Sequence, residues 1–454
     1  MSPPAARAER DVLVTVALGA ILAPLNSTMI AVALPRIVNS FHTSVGTAGW
    51  LVTSYLLALA VVQPVAGKLG DRHGRRVFVL GGLVVFGLAS LGAALAPSLA
   101  LLVAFRVTQA ISGAVVFPNG VGLIRETVPA ERRGRALGIV GGSLALAAGL
   151  GPPLGGLLLS FGGWRSIFWV NLPLVAAAIV AAWRTVPGRA ATRPATPFDW
   201  VGSLLLALIL GGAAALVVEG RHEPSTLLPG IAVLAAASVV FIRRELAHAD
   251  PVFQPRFFGR RAFAAANGAV SASNLALYTV LLATPILLSR NTHWSSLQTG
   301  LALALLSAPM AALSPAGGRL ADHYGRRPPA TAGCVLLTIG LVPLAVEPGI
   351  AAYGLFACLL LAGAGAGLSA AGMQASAIEA IDPEQAGVAA GLFSTSRYIG
   401  SFAGSIALAR LLDGGHGLAG FRAVFAIALV GGVVSAAATL ALPRRPAPRN
   451  AVSG

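Results

Sequence analysis

Arg106 lies inside an apolar run, 99–123, with Gln109 and Gly113 on the same helical face. An arginine at the centre of a membrane helix costs about 2.5–3.5 kcal/mol on insertion scales, so it needs a physical reason. Either this polar face looks into a water-filled cavity, or backbone carbonyls satisfy the guanidinium. Arg397 stands among Ser394, Ser396 and Tyr398 in a second run, 386–411. Asn26 is a non-titratable polar residue within the first apolar run; Asn274, Tyr278 and Gln374 are further polar residues within apolar runs, these three suited to a substrate contact or an interhelical hydrogen bond.

A different chemistry is concentrated in two loops, GKLGDRHGRR at 67–76 and GRLADHYGRR at 318–327. They match at Gly67/Gly318, Leu69/Leu320, Asp71/Asp322, Gly74/Gly325, Arg75/Arg326 and Arg76/Arg327, which marks an internal repeat. The glycines allow a tight turn and close helix approach, while Asp71, Arg75 and Arg76 can make charge-assisted bonds to a neighbouring helix end.

Titratable groups are placed unusually. Of the 16 acids none falls near the middle of an apolar run, and all 7 histidines lie in loops or at run ends. Proton-coupled chemistry needs a group whose pKa can cross ambient pH. The candidate proton carriers are therefore Asp71, Glu126 and Glu379, with a salt bridge from Glu126 to Arg132 or Arg133 as the plain alternative. No HExxH, GxSxG, DxxD or Walker pattern occurs, which argues against an enzyme and against ATP-driven transport, and no cofactor or metal is expected.

The elements that must position these residues follow from composition. The chain has 454 residues, 56% hydrophobic and 11% charged, with mean hydropathy +0.80. Soluble proteins carry about 25% charged residues, so this is a polytopic membrane protein. A window of about 20 apolar residues gives fourteen helices near 12–34, 48–69, 77–96, 99–123, 135–160, 166–186, 200–219, 227–242, 262–288, 298–320, 330–346, 350–376, 386–411 and 420–442. The weakest is 227–242, which contains Pro229, and an in-and-out hairpin over 200–242 is the alternative there. With both termini cytoplasmic, only Arg36, Arg165, Arg221, Arg290, Arg410 and Arg422 fall in outer segments, which satisfies the positive-inside rule. That rule also accounts for the net charge of +16 without nucleic acid. Cys334 and Cys358 both sit in apolar runs and suggest no disulfide framework. The N-terminus lacks a signal-peptide pattern, so the first helix is expected to remain as a span.

The Pro- and Arg-rich stretch 187–197 ends the first six helices. Removing the next two leaves six and six, with the repeated loop between the second and third helix of each half. The expected layout is a first bundle at 12–186, a linker with two inserted helices at 187–243, a linker and second bundle at 244–442, and a cytoplasmic tail at 443–454.

These residues resemble the major facilitator superfamily, and within it the fourteen-helix drug:proton antiporter branch. The resemblance rests on the 67–76 loop, LNSTMIAVALP at 25–35, RVTQAISGAVVFP at 106–118, GLGPPLGG at 149–156, WRSIFWVNLP at 164–173 and DPVFQPRFFGRRAF at 250–263. It implies an all-α membrane fold of two six-helix bundles plus two inserted helices. It also implies that Asp71 helps latch the cytoplasmic side, that Arg106 and Arg397 face a central cavity, and that Gly151, Pro152, Gly155 and Gly156 mark an exporter. Ser143 and Ala147 stand where the fuller exporter pattern has glycines, and Asn26 stands where the family's first helix usually carries an acid. The expectation is a monomeric exporter of small amphiphilic compounds, neutral or anionic, in a bacterial plasma membrane and proton-driven. The alternative is a lipid or glycolipid translocator without proton coupling.

Overall fold

The computed structural model describes residues 3–186, 199–218, 224–248, 251, 253–291, 294–382, 385–412 and 417–444. The expected linker at 187–197 and most of the tail lie outside them. Among the described residues the chain is helical, without strands: α1 (Pro3–Ser40), α2 (Val45–His73), α3 (Arg75–Leu95), α4 (Leu99–Thr127), α5 (Ala130–Gly162), α6 (Ser166–Trp169), α7 (Asn171–Thr185), α8 (Trp200–Val218), α9 (Pro224–Ala247), α10 (Arg261–Asn291), α11 (Ser296–Tyr324), α12 (Arg327–Val346), α13 (Ala352–Glu379), α14 (Ala386–Leu412) and α15 (Gly417–Thr439). With α6 and α7 read as one interrupted span, 13 are long and apolar enough to cross a membrane. The remaining long helix is α14, which carries Arg397 and a series of serines.

Local chemistry sets several boundaries. Ser44, Ser98 and Ser295 each accept a backbone N–H as N-caps, and Gln298 completes a capping box with Ser295. The predicted helix over 166–186 is divided after Trp169. Pro173 has no N–H to offer the Trp169 carbonyl, which weakens the ladder there. The predicted short helix 227–242 is longer, running to Ala247, and both α8 and α9 can cross.

The packing of the first half recurs in the second. α1 packs on α4, α5 and α7, α3 on α4 and α7, and α2 on α4. In the same way α10 packs on α13, α14 and α15, α12 on α13 and α15, and α11 on α13. The halves meet where α5 lies along α11 and α14 along α2, with α1 against α10 between these seams. The inserted α8 packs on α2 and α14, and α9 packs on α8. Outward-facing side chains such as Leu88, Phe161, Leu204 and Val233 are exposed and apolar, as lipid-facing positions require. Trp169, Trp183 and Trp200 are exposed at helix ends, where the membrane interface lies.

Candidate functional site

Arg106 is fully buried inside the first bundle. Its Nε donates to the Leu51 carbonyl at 3.4 Å, one terminal nitrogen donates to Gln109 Oε1 at 3.2 Å, and the guanidinium carbon lies 3.9 Å from the Tyr55 ring centroid. The other terminal nitrogen has no partner. Gln109 Nε2 in turn donates to Ser90 Oγ at 2.7 Å, which Asn171 Nδ2 also approaches at 3.4 Å. One arginine thus joins side chains of α2, α3, α4 and α7, and both sequence alternatives bear on it. A backbone carbonyl and a side-chain amide each take one of its five N–H groups, while one terminal nitrogen remains for a ligand or water. Cation–π contact with Tyr55 offsets part of the desolvation cost.

Asn26 is also fully buried, and neither its Oδ1 nor its Nδ2 has a partner. One residue on, Ser27 Oγ lies 3.1 Å from Tyr278 Oη, which links α1 to α10 across the halves. Arg397 is half-buried on α14, 5.2 Å from the Tyr398 ring centroid, and Tyr398 packs against Tyr55, Leu59, Ala110 and Ala114. Asn274 Nδ2 donates back to Val270 O of its own helix, and Gln374 is exposed on α13. Arg106, Asn26 and Tyr278 thus belong to the interior around α1, while Gln374 is not part of that buried set.

The glycines of α5 serve two neighbours. A Cβ on Gly155 would stand 3.1 Å from the Met29 Cα of α1, and Gly151 leaves room for Thr28. On the other side, a Cβ on Gly156 would meet Ser296 O at 2.5 Å, and one on Gly300 would meet Pro152 O at 2.5 Å. Side-chain-free surface at these points lets the two backbones touch. Nearby, Ser307 Oγ donates to Gly149 O at 2.8 Å. The other seam is similar, with Gly49 against Ala409 and Thr53 Oγ1 3.0 Å from Ser405 Oγ.

The repeated loops are compact turns. Gly74 and Gly325 have φ of 94° and 91°, so each lets one helix pass into the next within a residue or two where a side chain would be strained. Gly67 lies against Pro118, and Gly70 against Asn119, whose amide donates to Ala66 O and Val115 O. Arg75 Nε donates to Glu126 Oε1 at 2.8 Å, its guanidinium filling the space over Gly122. Arg76 bonds the carbonyls of Trp183 and Val186. In the second half Arg326 grips Glu379 with two nitrogens and Asp322 with the third. Its pKa is pushed up, chiefly by the hydrogen bonds it donates to Glu379, with burial opposing and Asp322 adding. Gly318 faces Ala371. The side chain of Asp71 lies outside the described residues.

One expected pairing is corrected. Glu126 does not pair with Arg132 or Arg133: Arg132 reaches Glu9, and Arg133 folds back onto the Val128 and Arg125 carbonyls at the end of α4. Glu126 is aimed instead at the loop after α2. The outcome is an Arg–Glu pair repeated in both halves, Arg75–Glu126 and Arg326–Glu379, which the aligned loops could have suggested because the arginines are equivalent. Sequence reasoning also passed over Asp199 and Glu245. The signal was Asp199 directly before the apolar run of α8, an N-cap position.

Two matched bundles of membrane-length helices, meeting on glycine-lined seams and each carrying the same Arg–Glu pair, give the architecture of a multi-pass membrane transporter. The chain belongs to the major facilitator superfamily, whose family model, Major Facilitator Superfamily, matches residues 16–259 and 266–454. It is 37% identical over 431 residues to the uncharacterized MFS-type transporter YvkA of Bacillus subtilis (strain 168), covering 94% of this chain and 96% of that one. It is 30% identical over 408 residues to the tetracenomycin C resistance and export protein of Streptomyces glaucescens, covering 88% of this chain and 75% of that one. The fold is similar to that of a bacterial homolog of the human lysosomal transporter Spinster in an inward-facing, unoccupied conformation, with TM-score 0.67, 16% identity, and 99% and 100% of the two chains covered.

Proposed function

We propose that this chain is a proton-driven secondary exporter of small amphiphilic compounds such as drugs, antibiotics or secondary metabolites, working as a monomer in the bacterial plasma membrane. Residues 12–186 and 244–442 rock against each other about the interior around Asn26, Arg106, Tyr278 and Arg397. Residues 187–243 hold the linker and inserted helices, and 443–454 form a tail.

The observation that carries this reading is the division of bonds. Ion pairs such as Arg75–Glu126, Arg132–Glu9, Arg326–Glu379 and Arg422–Glu347 lie within one half, and Arg244–Asp199 lies within the α8–α9 pair. Along the seams the halves meet through hydroxyl contacts such as Thr53–Ser405 and Ser27–Tyr278 and through bare glycine backbone, and Lys68 Nζ on Pro251 O adds a charged contact to the segment before the second bundle. Neutral contacts are weaker than charged ones and are readily remade, so each half moves as a body. Export as the direction is supported by the α5 Gly-Pro pattern and by a relative named for export. With Arg106 and Arg397 in the interior and, among the described residues, no acid beside them, that interior suits neutral or anionic amphiphiles. Protons would be carried by Asp71, Glu126 and Glu379.

Unpartnered Asn26 in place of an acid favours a second reading, an uncoupled lipid translocator. Proteoliposomes of purified protein separate the two. Export is supported by pH-gradient-driven accumulation of an amphiphilic dye, and the second reading by scrambling of a fluorescent lipid with no response to pH.

A further inference from the structure

Asp199 and Glu245 sit at the same end of the inserted helices, Asp199 just before α8 and Glu245 in the last turn of α9. Both are 1% exposed. Their oxygens are used unequally. Asp199 Oδ1 accepts the Gly202 N–H at 2.8 Å and two Arg244 N–H groups at 3.0 and 2.8 Å, while Oδ2 has no partner. Glu245 Oε2 accepts the Phe253 N–H at 2.8 Å, while Oε1 has none. The two unused oxygens converge on one place, since a Cβ built on Gly202 would overlap Glu245 Oε1 and Asp199 Oδ2 together.

Two ionised carboxylates facing each other in a dry site repel, and neither can donate to the other. A single proton turns this arrangement into one O–H···O bond, the strong charge-assisted kind. We propose that Asp199 and Glu245 form a proton-binding pair, with the proton on Glu245 Oε1 donated to Asp199 Oδ2. Asp199 is the partner that stays charged: burial opposes its ionisation, but the Gly202 amide and Arg244 outweigh this, and its pKa lies below the ordinary carboxylate value.

Other charged groups face the pair from each side. Arg244 is on α9, His248 follows it, Lys68 reaches in from α2 with its Nζ on Pro251 O at 2.8 Å, and Arg256 holds Leu246 O at 3.0 Å. Glu245 also holds the segment leading to the second bundle through Phe253, and Lys68 belongs to the 67–76 loop. Release of the proton to the cytoplasm would leave two anions over Gly202, drive the α8 and α9 ends apart and loosen the Phe253 attachment. The site thus fastens the inserted helices to both halves in proportion to cytoplasmic acidity, and it exists whether or not the exporter reading holds.

Infrared spectroscopy of the purified full-length protein near neutral pH tests this without any flux. The wild type is expected to show a protonated-carboxyl C=O band that shifts in D2O, disappears in Glu245→Gln and is displaced or lost in Gly202→Ala, whose methyl enters the space between the oxygens. In parallel, the wild-type melting temperature should fall as pH rises above neutral, and that slope should vanish in Glu245→Gln, whose amide donates permanently. Identical carboxyl spectra for the wild type and both variants would overturn the proposal.

Discussion

Replacing Gly156 by alanine should weaken the seam between the halves. The new methyl would stand 2.5 Å from Ser296 O, 3.1 Å from Gly300 Cα and 3.2 Å from Leu297 Cα. All three are backbone atoms of α11, so no rotamer change relieves the overlap, and α5 and α11 must separate. Overpacking of this kind costs about 1–3 kcal/mol. Applied to one arrangement of the bundles, that is about a 5–150-fold shift in population away from it. Spin labels at Phe161→Cys and Tyr353→Cys, with Cys334 and Cys358 replaced by serine, put reporters on exposed positions of α5 and α13. Electron–electron distance measurements are expected to show a larger long-distance fraction in Gly156→Ala. Gly300→Ala, blocked by Pro152 O at 2.5 Å, should do the same, and the double variant should add little because both methyls enter one gap. An unchanged distance distribution in both single variants, with unchanged melting temperature, would refute the reasoning.

Other substitutions address the buried charges. Arg106→Met keeps the volume and removes a charge with an unpartnered nitrogen, so the melting temperature should hold or rise while transport falls at least tenfold; preserved flux would make Arg106 structural. Arg326→Ala strands Glu379 and should cost about 1–3 kcal/mol by denaturant titration. The Arg75–Glu126 pair should couple by less than about 1 kcal/mol in a double-mutant cycle of Arg75→Ala with Glu126→Ala, because the Glu126 side chain is 49% exposed; a larger coupling would contradict this. The Asp199 carboxyl has a folded pKa below its unfolded one, so its stabilisation is present above the ordinary carboxylate range and is lost as pH falls through the folded value. The stability gap between wild type and Asp199→Asn should therefore narrow on acidification, and a constant gap would argue otherwise. Asn26→Asp places a titratable group at a dry site and should steepen the pH dependence of flux, whereas an unchanged profile would separate helix 1 from coupling.

The spans were legible because twenty apolar residues in a row have few alternatives, and the repeat was legible because Gly74 and Gly325 must both adopt positive φ. Hydropathy also located Arg106 in mid-span. What it could not convey was enclosure: the guanidinium is shared among Leu51, Tyr55 and Gln109, and only the packing of α2 against α4 brings those groups together. The partner of Glu126 was misjudged because arginines close in sequence compete with one 51 residues away, and chain proximity lost to the direction in which α4 ends. Asp199 and Glu245 read as loop and helix-end acids, since nothing local indicates that α8 and α9 fold their ends onto one another.

The most direct measurement uses inverted membrane vesicles from cells expressing the chain, energised by respiration, with uptake of lipophilic dyes of both charge signs followed before and after nigericin collapses the pH gradient. Uptake of neutral or anionic dye that nigericin abolishes is the expected result. Uptake indifferent to nigericin, or no uptake of any dye, would contradict proton-driven export.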